Sequence, residues 1–421
     1  MKRRNYRVFP AQMETQTFGQ LQVNVICEYG NRPVEKAIVE IYRKDDPIKI
    51  LDSLRTDSSG QTPVIDLPAP DAMYTMEPST TQPYSEYNLV ISVPGLKTVI
   101  INGVQILSGV TAIQNAILPR LLTIDEAPMV IDIPPHGLFG AYLIKPYEAP
   151  IKDITGFEMR DVNIPSHILV HDGIPKDPSN NFCIEYKDYI KNVVSGTIYA
   201  TWPKETIYAN ILTTLSFSLN RYYTNWYKSQ GFDFTITSSP VFDNLWSYGR
   251  NIYENIDTAV DYIFNYFLSE PNILQPILTQ ACNGKLVICE GMLSRWGSLT
   301  LGNDGYTALE QIRQYLGESI YINSTNDISG VPQTWPGYNL TLGVTGEAVT
   351  NMQNQLNTIS TAYIAIPALT VNGIYNQEME NAIKEFQNIF YLPETGIIDF
   401  ATWYKIGEIY TRLNRRVDMC Q

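Results

Sequence analysis

The sequence predicts a multidomain α+β chain: an N-terminal β-sandwich, a central mixed α/β domain and a C-terminal three-helix domain. Three observations carry that expectation. Apolar and polar residues alternate in short runs between Gly19 and Val93, as half-buried strands do. After Pro203, the residues Ile207, Ile211, Leu215, Leu219, Tyr222 and Trp226 recur every three or four positions, the stripe of one long helix. Beyond Leu340, glycines alternate with short apolar triplets, and the three-helix expectation there is what a family resemblance given below implies. The expected boundaries are 1–120 for the sandwich, 121–180 for a proline-rich connector, 181–323 for the central domain, and 324–421 for a linker with the helical domain.

The bulk properties narrow the function. A chain of 421 residues holds two to four domains, and 44% hydrophobic residues is ordinary for folded protein. A formal charge of −13 argues against nucleic acid and anionic membrane as partners. The 28 Tyr and 6 Trp offer rings that can stack on sugar faces, although filling a core is their commoner use. The basic start, Met1-Lys2-Arg3-Arg4, is followed by Phe9-Pro10-Ala11-Gln12-Met13-Glu14, too polar for a signal-peptide core. No run reaches the length of a membrane span, so synthesis in a cytoplasm without a visible export signal is expected. The odd, scattered cysteines (Cys27, Cys183, Cys282, Cys289, Cys420) imply no disulfide framework, and no cofactor is expected.

In the sandwich, strands are expected around Leu21–Val25, Ala37–Ile41 and Tyr87–Val93. Turn clusters at Tyr29–Pro33 and Thr56–Thr62 separate them. Asp57 and Ser58 can fold side-chain turns there, and Gly60 can supply a positive φ. Pro33-Val34, Ala37 and Val39, with Thr56-Asp57, Gly60 and Pro94-Gly95-Leu96, resemble the carboxypeptidase regulatory-like sandwich. That resemblance implies a spacer or binding module without chemistry. The connector carries prolines at 134, 135, 146, 150, 165 and 175 and reads as ordered chain wrapping the next domain. His167 and His171 bracket Ile168-Leu169-Val170, which reads as a strand running into an Asp172-Gly173 turn; no metal site is expected.

The central domain centres on Tyr186 to Trp226. Tyr189, Val193 and Val194 lead into an expected turn at Ser195-Gly196-Thr197, after which Thr201 caps the long helix and Pro203 opens it. Gly231–Ser239 alternates like a strand. Ile252, Ile256, Ala259, Val260, Ile263 and Phe267 mark a second helix that Pro271 ends, and Ile277-Leu278-Thr279 looks strand-like. Cys282 and Cys289 bracket a glycine turn, where a disulfide or two unreactive thiols suit better than zinc, with no histidine near.

Tyr189, Val193 and Trp202-Pro203-Lys204-Glu205 resemble the opening of the catalytic domain of the sporulation stage II protein D (LytB-like) family. Cys282-Asn283-Gly284, Cys289, Met292, Arg295-Trp296-Gly297-Ser298 and the run Gly305–Gly317 resemble its second signature and closing helix. The closest likeness within that family is to SleC-type spore cortex-lytic enzymes. The resemblance implies a lytic-transglycosylase-like fold in which one carboxylic acid protonates the glycosidic oxygen and then takes a proton from the muramyl 6-hydroxyl. The position of that acid falls on Thr197, which cannot do this work. Glu205 is a weaker candidate, because an acid in a first helical turn complements the helix dipole. Substrate-binding positions fall on Trp202, Asp243, Ser294, Arg295 and Trp296. Asn283 and Arg295 stand where the family favours Asp and Gln. Pro83–Leu89 and Asn102–Ile106 resemble the N-terminal region of the same enzymes, part of which is a removable propeptide.

Leu342-Gly343, Gly346, Val349, Met352-Gln353, Val371-Asn372-Gly373-Ile374-Tyr375, Phe386-Gln387 and Thr395-Gly396-Ile397 to Thr402-Trp403 resemble the small three-helix peptidoglycan-binding domain. The resemblance implies wall binding, with Tyr375 and Trp403 at the ligand; Asn372 and Asn376 depart from the usual Asp and Gly. Three functions fit these parts. The first is an active cortex-lytic enzyme, which Thr197 opposes, since loss of a general acid slows such a reaction by orders of magnitude. The second, favoured, is a catalytically impaired relative that grips peptidoglycan glycan strands, alone or beside an active paralogue, in the spore cortex or coat. The third is a structural component of a larger spore-coat or phage-tail-like assembly.

Overall fold

The computed structural model describes residues 17–123, 126–139, 161–285 and 289–414. The basic N-terminus, Pro146, Pro150 and Cys420 lie outside the described residues. Strands β1 (Thr17–Cys27), β2 (Ile38–Arg43), β3 (Asp46–Arg55), β4 (Ile65–Ala69), β5 (Ser85–Ser92), β6 (Val99–Ile106), β7 (Thr111–Leu118) and β8 (Met129–Asp132) build the N-terminal sheets. One sheet runs β3-β2-β5-β6-β8; the other has β7-β1-β4 and gains a fourth strand from further along the chain. Successive strand side chains point to opposite faces. Leu21, Val23, Val25, Val39, Ile41, Leu89, Ile91, Val99 and Ile101 are therefore all fully buried in one cluster between the sheets. Each such side chain contributes roughly 1.5–3 kcal/mol by leaving water. At the Thr56–Thr62 turn the Asp57 carboxylate accepts from Ser59 N (2.8 Å) and Gln61 N (3.0 Å). Gly60 sits at φ +74, where a Cβ would meet Val25 O at 2.4 Å.

The later chain completes these sheets. β8, from the connector, pairs parallel with β6, and Pro134 O accepts from Arg250 Nη2 at 2.7 Å. The central unit contains β9 (His167–His171), β10 (Asn181–Glu185), β11 (Ile236–Thr237) and β12 (Ile252–Tyr253). β12 is the strand that joins β7, with Ile252 opposite Ile113. The expected helix from Ile252 to Phe267 is thus three elements: β12, α3 (Glu254–Ile263) and β13 (Tyr266–Ser269), the last paired with β16 (Tyr321–Ser324). Short apolar runs do not discriminate strand from helix, and pairing partners far along the chain decided each piece. Gly231–Ser239 keeps only β11 as strand, and Ile277–Thr279 is irregular.

The expected turn at Ser195–Thr197 is the last turn of a helix, α1 (Tyr186–Thr197). Val193, Val194 and Gly196 are poor helix formers. Burial of Tyr189, Ile190, Val193 and Val194 overrides that preference. α2 (Lys204–Tyr223) starts after Pro203, which occupies the N-cap without a side-chain bond. Thr201 does not cap it; its hydroxyl pairs instead with Thr75 Oγ1 at 2.6 Å. α2 is buried well beyond its apolar stripe. Its Thr213, Thr214, Ser216 and Ser218 hydroxyls each donate to the carbonyl four residues earlier, so they enter the core satisfied. β14 (Ala281–Cys282) pairs parallel with β15 (Leu293–Ser294), and a disulfide joins Cys282 to Cys289. α4 (Arg295–Asn303) and α5 (Ala308–Leu316) close the unit, α5 behind a Thr307–Glu310 capping box.

Helices α6 (Glu347–Ser360), α7 (Gln377–Ile389) and α8 (Phe400–Asn414) form the C-terminal unit. One device occurs twice in it. Gln353 of α6 accepts from Asn372 N (3.1 Å) and Gly373 N (2.9 Å) and donates to Ile374 O (3.1 Å). Gln387 of α7 accepts from Gly396 N (2.8 Å) and donates to Ile397 O (2.9 Å). Gly373 (φ +69) and Gly396 (φ +68) adopt the left-handed backbone these turns require.

Ionic groups fasten this unit to the central one. The buried Asp261 of α3 receives Lys187 (2.9 Å) and Lys191 (3.1 Å) of α1 and Lys405 (2.6 Å) of α8. Lys187 also pairs with Glu408. Burial alone would raise the Asp261 pKa, but the three ammonium groups hold it well below the usual carboxylate range. The same contest, won chiefly by Lys187 and Lys405, brings Glu408 down to about 2. The sandwich touches the C-terminal unit as well, since Tyr391 donates to Asn24 Oδ1 at 2.8 Å and Arg32 Nη1 to Thr361 O at 3.1 Å.

Candidate functional site

Thr197 ends α1 inside the protein, with 3% of its surface exposed. Its hydroxyl donates back to Val193 O at 2.7 Å, and its carbonyl accepts from Arg295 Nη1 at 3.1 Å. The connector lies against this turn. Gly137 N donates to Gly196 O at 2.7 Å, and a Cβ on Gly137 would stand 2.6 Å from that oxygen. His136 stacks on Tyr199, with ring centroids 4.4 Å apart. Its Nδ1 accepts from Leu138 N at 3.1 Å, so Nε2 carries the proton and donates to Ile198 O at 3.2 Å. Burial first, then the nearby Arg250 charge, lowers the His136 pKa to about 3, so the ring is neutral.

The other positions expected to meet substrate are mostly committed to the interior. Trp202 is 3% exposed and donates Nε1–H to Thr75 O at 2.7 Å; Trp296 packs against it with centroids 5.2 Å apart. Asp243, expected to bind sugar or shape a cleft, is buried. Its carboxylate accepts from Arg221 Nε (2.9 Å), Tyr227 Oη (2.6 Å), Thr237 N (2.9 Å) and Thr237 Oγ1 (2.7 Å), so it braces the end of α2 against β11. Ser294 caps α4 by accepting from Gly297 N at 2.9 Å. Glu205 accepts from Ala308 N at 2.8 Å and ties the start of α2 to the start of α5. Arg295 reaches the Thr197 carbonyl, and Trp202 packs against Trp296, the residue after Arg295. Glu205 and Asp243 serve other parts of the scaffold.

In the C-terminal unit Tyr375 is fully buried, donating to Gly396 O at 2.7 Å. Trp403 is 3% exposed, donates to Gln333 O at 3.1 Å and meets Trp335 edge-on at 5.7 Å. Neither ring offers a face to a ligand, contrary to expectation; aromatic residues at helical spacing supply core area first. Asn372 fits where an Asp is usual because only acceptance is asked of it: its Oδ1 takes Ile374 N (2.9 Å) and Gln353 Nε2 (3.2 Å). Asn376 caps α7 by accepting from Met379 N at 3.0 Å. Sequence reasoning passed over Gln353 and Gln387 as site-builders; the signal was a Gln in each helix ahead of an x-Gly-Ile turn.

Residues 345–406 match the family described as "Putative peptidoglycan binding domain". The C-terminal unit is a peptidoglycan-binding domain. That match spans all of α6 and α7 and the first half of α8, the helix whose Lys405 enters the ion cluster on Asp261. No curated protein matches the chain. Among solved structures, partial likenesses include the Bacillus anthracis TIE protein, at 12% identity over 25% of this chain and 17% of that one, TM-score 0.18. GBS52, the minor pilin of Streptococcus agalactiae, shows 17% identity over 27% and 48%, TM-score 0.19. Catechol 1,2-dioxygenase from Acinetobacter sp. ADP1 shows 13% identity over 29% and 60%, TM-score 0.18. The chain spans less than two thirds of the length of each of these three, and likeness at such scores carries no argument. No described helix is long and apolar enough to cross a membrane.

Among the described residues, the Thr197 hydroxyl and carbonyl meet Val193 O and Arg295. The side chains described there are a neutral imidazole, two guanidinium groups and a hydroxyl bonded to its own helix.

Proposed function

We propose that this chain binds peptidoglycan through residues 345–406 and does not cut the glycan strand. The domain match carries the first half of that reading. The second half rests on Thr197, whose buried hydroxyl stands where the resemblance to cortex-lytic transglycosylases calls for a carboxylic acid. The central unit then acts as a rigid mount. Its ion cluster and its contacts with the sandwich hold the wall-binding domain in one orientation, suited to a protein that presents or anchors something at a wall. On the same resemblance, the wall in question is the spore cortex, and an active paralogue is a fitting partner.

The test uses the full chain and purified insoluble peptidoglycan. The expected result is co-sedimentation with the polymer, no fall in turbidity and no anhydro-muropeptides in the supernatant. Protein that stays in the supernatant overturns the binding reading. Anhydro-muropeptides released at an enzymatic rate overturn the non-cleaving one.

The sandwich favours a second reading through its edge. β3 is the outer strand of its sheet, and it exposes Ile48, Ile50 and Leu51 by 91%, 47% and 46%. A free, partly apolar edge is the feature a larger assembly uses for strand pairing. Light scattering of the purified chain tests this reading; a monomer at all concentrations sinks it.

A further inference from the structure

A groove of about 810 Å³ runs beside the first turn of α2, where the sandwich, the central unit and the peptidoglycan-binding domain meet. Lys204 and Tyr208 of α2 form one wall, Glu254, Asn255 and Tyr262 of α3 the other, and Pro393 closes one end. Trp202 belongs to its lining and Thr197 does not, so the groove shares one residue with the positions the lytic resemblance implies but lies apart from the Thr197 turn. Lys204 and Glu254 are both exposed, and among the described residues neither enters an ion pair. The Lys204 ammonium lies 5.2 Å from the Tyr208 ring centroid. Tyr262 is fixed from the far side, its hydroxyl donating to Asp399 Oδ2 at 3.1 Å, and Asp399 caps α8 of the wall-binding domain.

We infer that this groove binds the peptide-bearing part of the wall polymer: a sugar carrying a short amino-acyl chain with both carboxylate and ammonium groups. The inference rests on the wall-binding reading above and adds which part of the polymer is recognised. An unpaired cation on one wall and an unpaired anion on the other complement a ligand with both charges. A neutral glycan would leave both side chains unanswered, and a polyanion would meet Glu254 and a chain of net charge −13. Two half-buried tyrosines supply flat surface for a sugar face or an alkyl stem between those charges.

The experiment is calorimetric titration of the full chain with a soluble disaccharide–tetrapeptide fragment and, separately, with a peptide-free chito-oligosaccharide. The fragment should bind, and Lys204→Met or Glu254→Gln should each weaken it about tenfold, the scale of one charge-assisted bond. Both substitutions sit on exposed side chains, so unchanged thermal midpoints are expected and serve as the folding control. Equal affinity in the parent and both variants, or no binding of the fragment, overturns the groove assignment. Equally tight binding of the peptide-free glycan overturns the choice of ligand. Failure of the parent chain to sediment with insoluble peptidoglycan is a separate result that removes the wall-binding reading itself.

Discussion

The Arg412 guanidinium closes on the Glu185 carboxylate through two parallel bonds, Nε to Oε1 at 2.8 Å and Nη2 to Oε2 at 2.6 Å, across 227 residues of chain. The pair fastens the end of α8 to the residue that precedes α1. Behind it lies the Asp261 cluster, so the wall-binding domain is joined to the central unit by buried charge as well as by apolar packing. Buried ion pairs of this sort add little over a well-packed apolar contact, but breaking them is expensive because partners are stranded. Their effect here is geometric: they tie α8 to α1 and α3 at several points at once.

Asp261→Asn should therefore destabilise the chain by about 3–5 kcal/mol, since three ammonium groups lose their common partner. Urea denaturation measures this. A loss under about 1 kcal/mol would mean that the cluster is not a fastening at all.

Acid should loosen the protein in two stages. Buried, neutral His136 titrates at about 3 when folded and at the ordinary 6.5 when unfolded. The unfolded chain thus binds the extra proton across that window, and stability is lost as pH falls from 6.5 toward about 3, by about 1.4 kcal/mol per unit. Glu408, brought down to about 2, keeps its full contribution above about 4.5 and gives it up on the way down. Asp257, raised chiefly by burial, works in the opposite sense and blunts the second stage. In His136→Gln the slope between pH 6.5 and 4.5 should flatten; an unchanged slope in denaturation curves across that range would count against the assignment.

Placing Glu at position 197 should not create a lytic enzyme. The Thr197 turn is packed against Gly137, and a Glu there adds two heavy atoms and a charge to a filled space. A drop of about 1–3 kcal/mol in stability is expected from overpacking alone, with no anhydro-muropeptide product. Turnover by Thr197→Glu on purified peptidoglycan would show that an intact cleft remains.

Gln387→Leu should cost about 1–3 kcal/mol for each buried group it strands, Gly396 N–H and Ile397 C=O among them. Because the turn after α7 depends on that side chain, co-sedimentation with peptidoglycan should fall together with the thermal midpoint. Retained binding by a destabilised variant would place the ligand away from this turn.

Much of the fold was legible along the chain because it rests on local periodicity. Alternation marked β1, β2 and β5 but not β3 or β4, a three-and-four stripe marked α2, and the resemblance to the small peptidoglycan-binding domain marked α6 to α8. The sequence by itself also determined that Thr197 bears no acid, a matter of composition that no fold can alter. Tertiary structure alone decided what the polar and aromatic side chains face. Trp202, Tyr375 and Trp403 look the same in sequence whether they stack on sugar or fill a core, and Glu205 looks the same as acid or as helix tether. Which role each takes depends on partners far along the chain, Thr75 for Trp202, Ala308 for Glu205 and Gln333 for Trp403 among them. Burial is a property of the assembled surface, and a stretch of chain carries no record of which of its faces another stretch will cover.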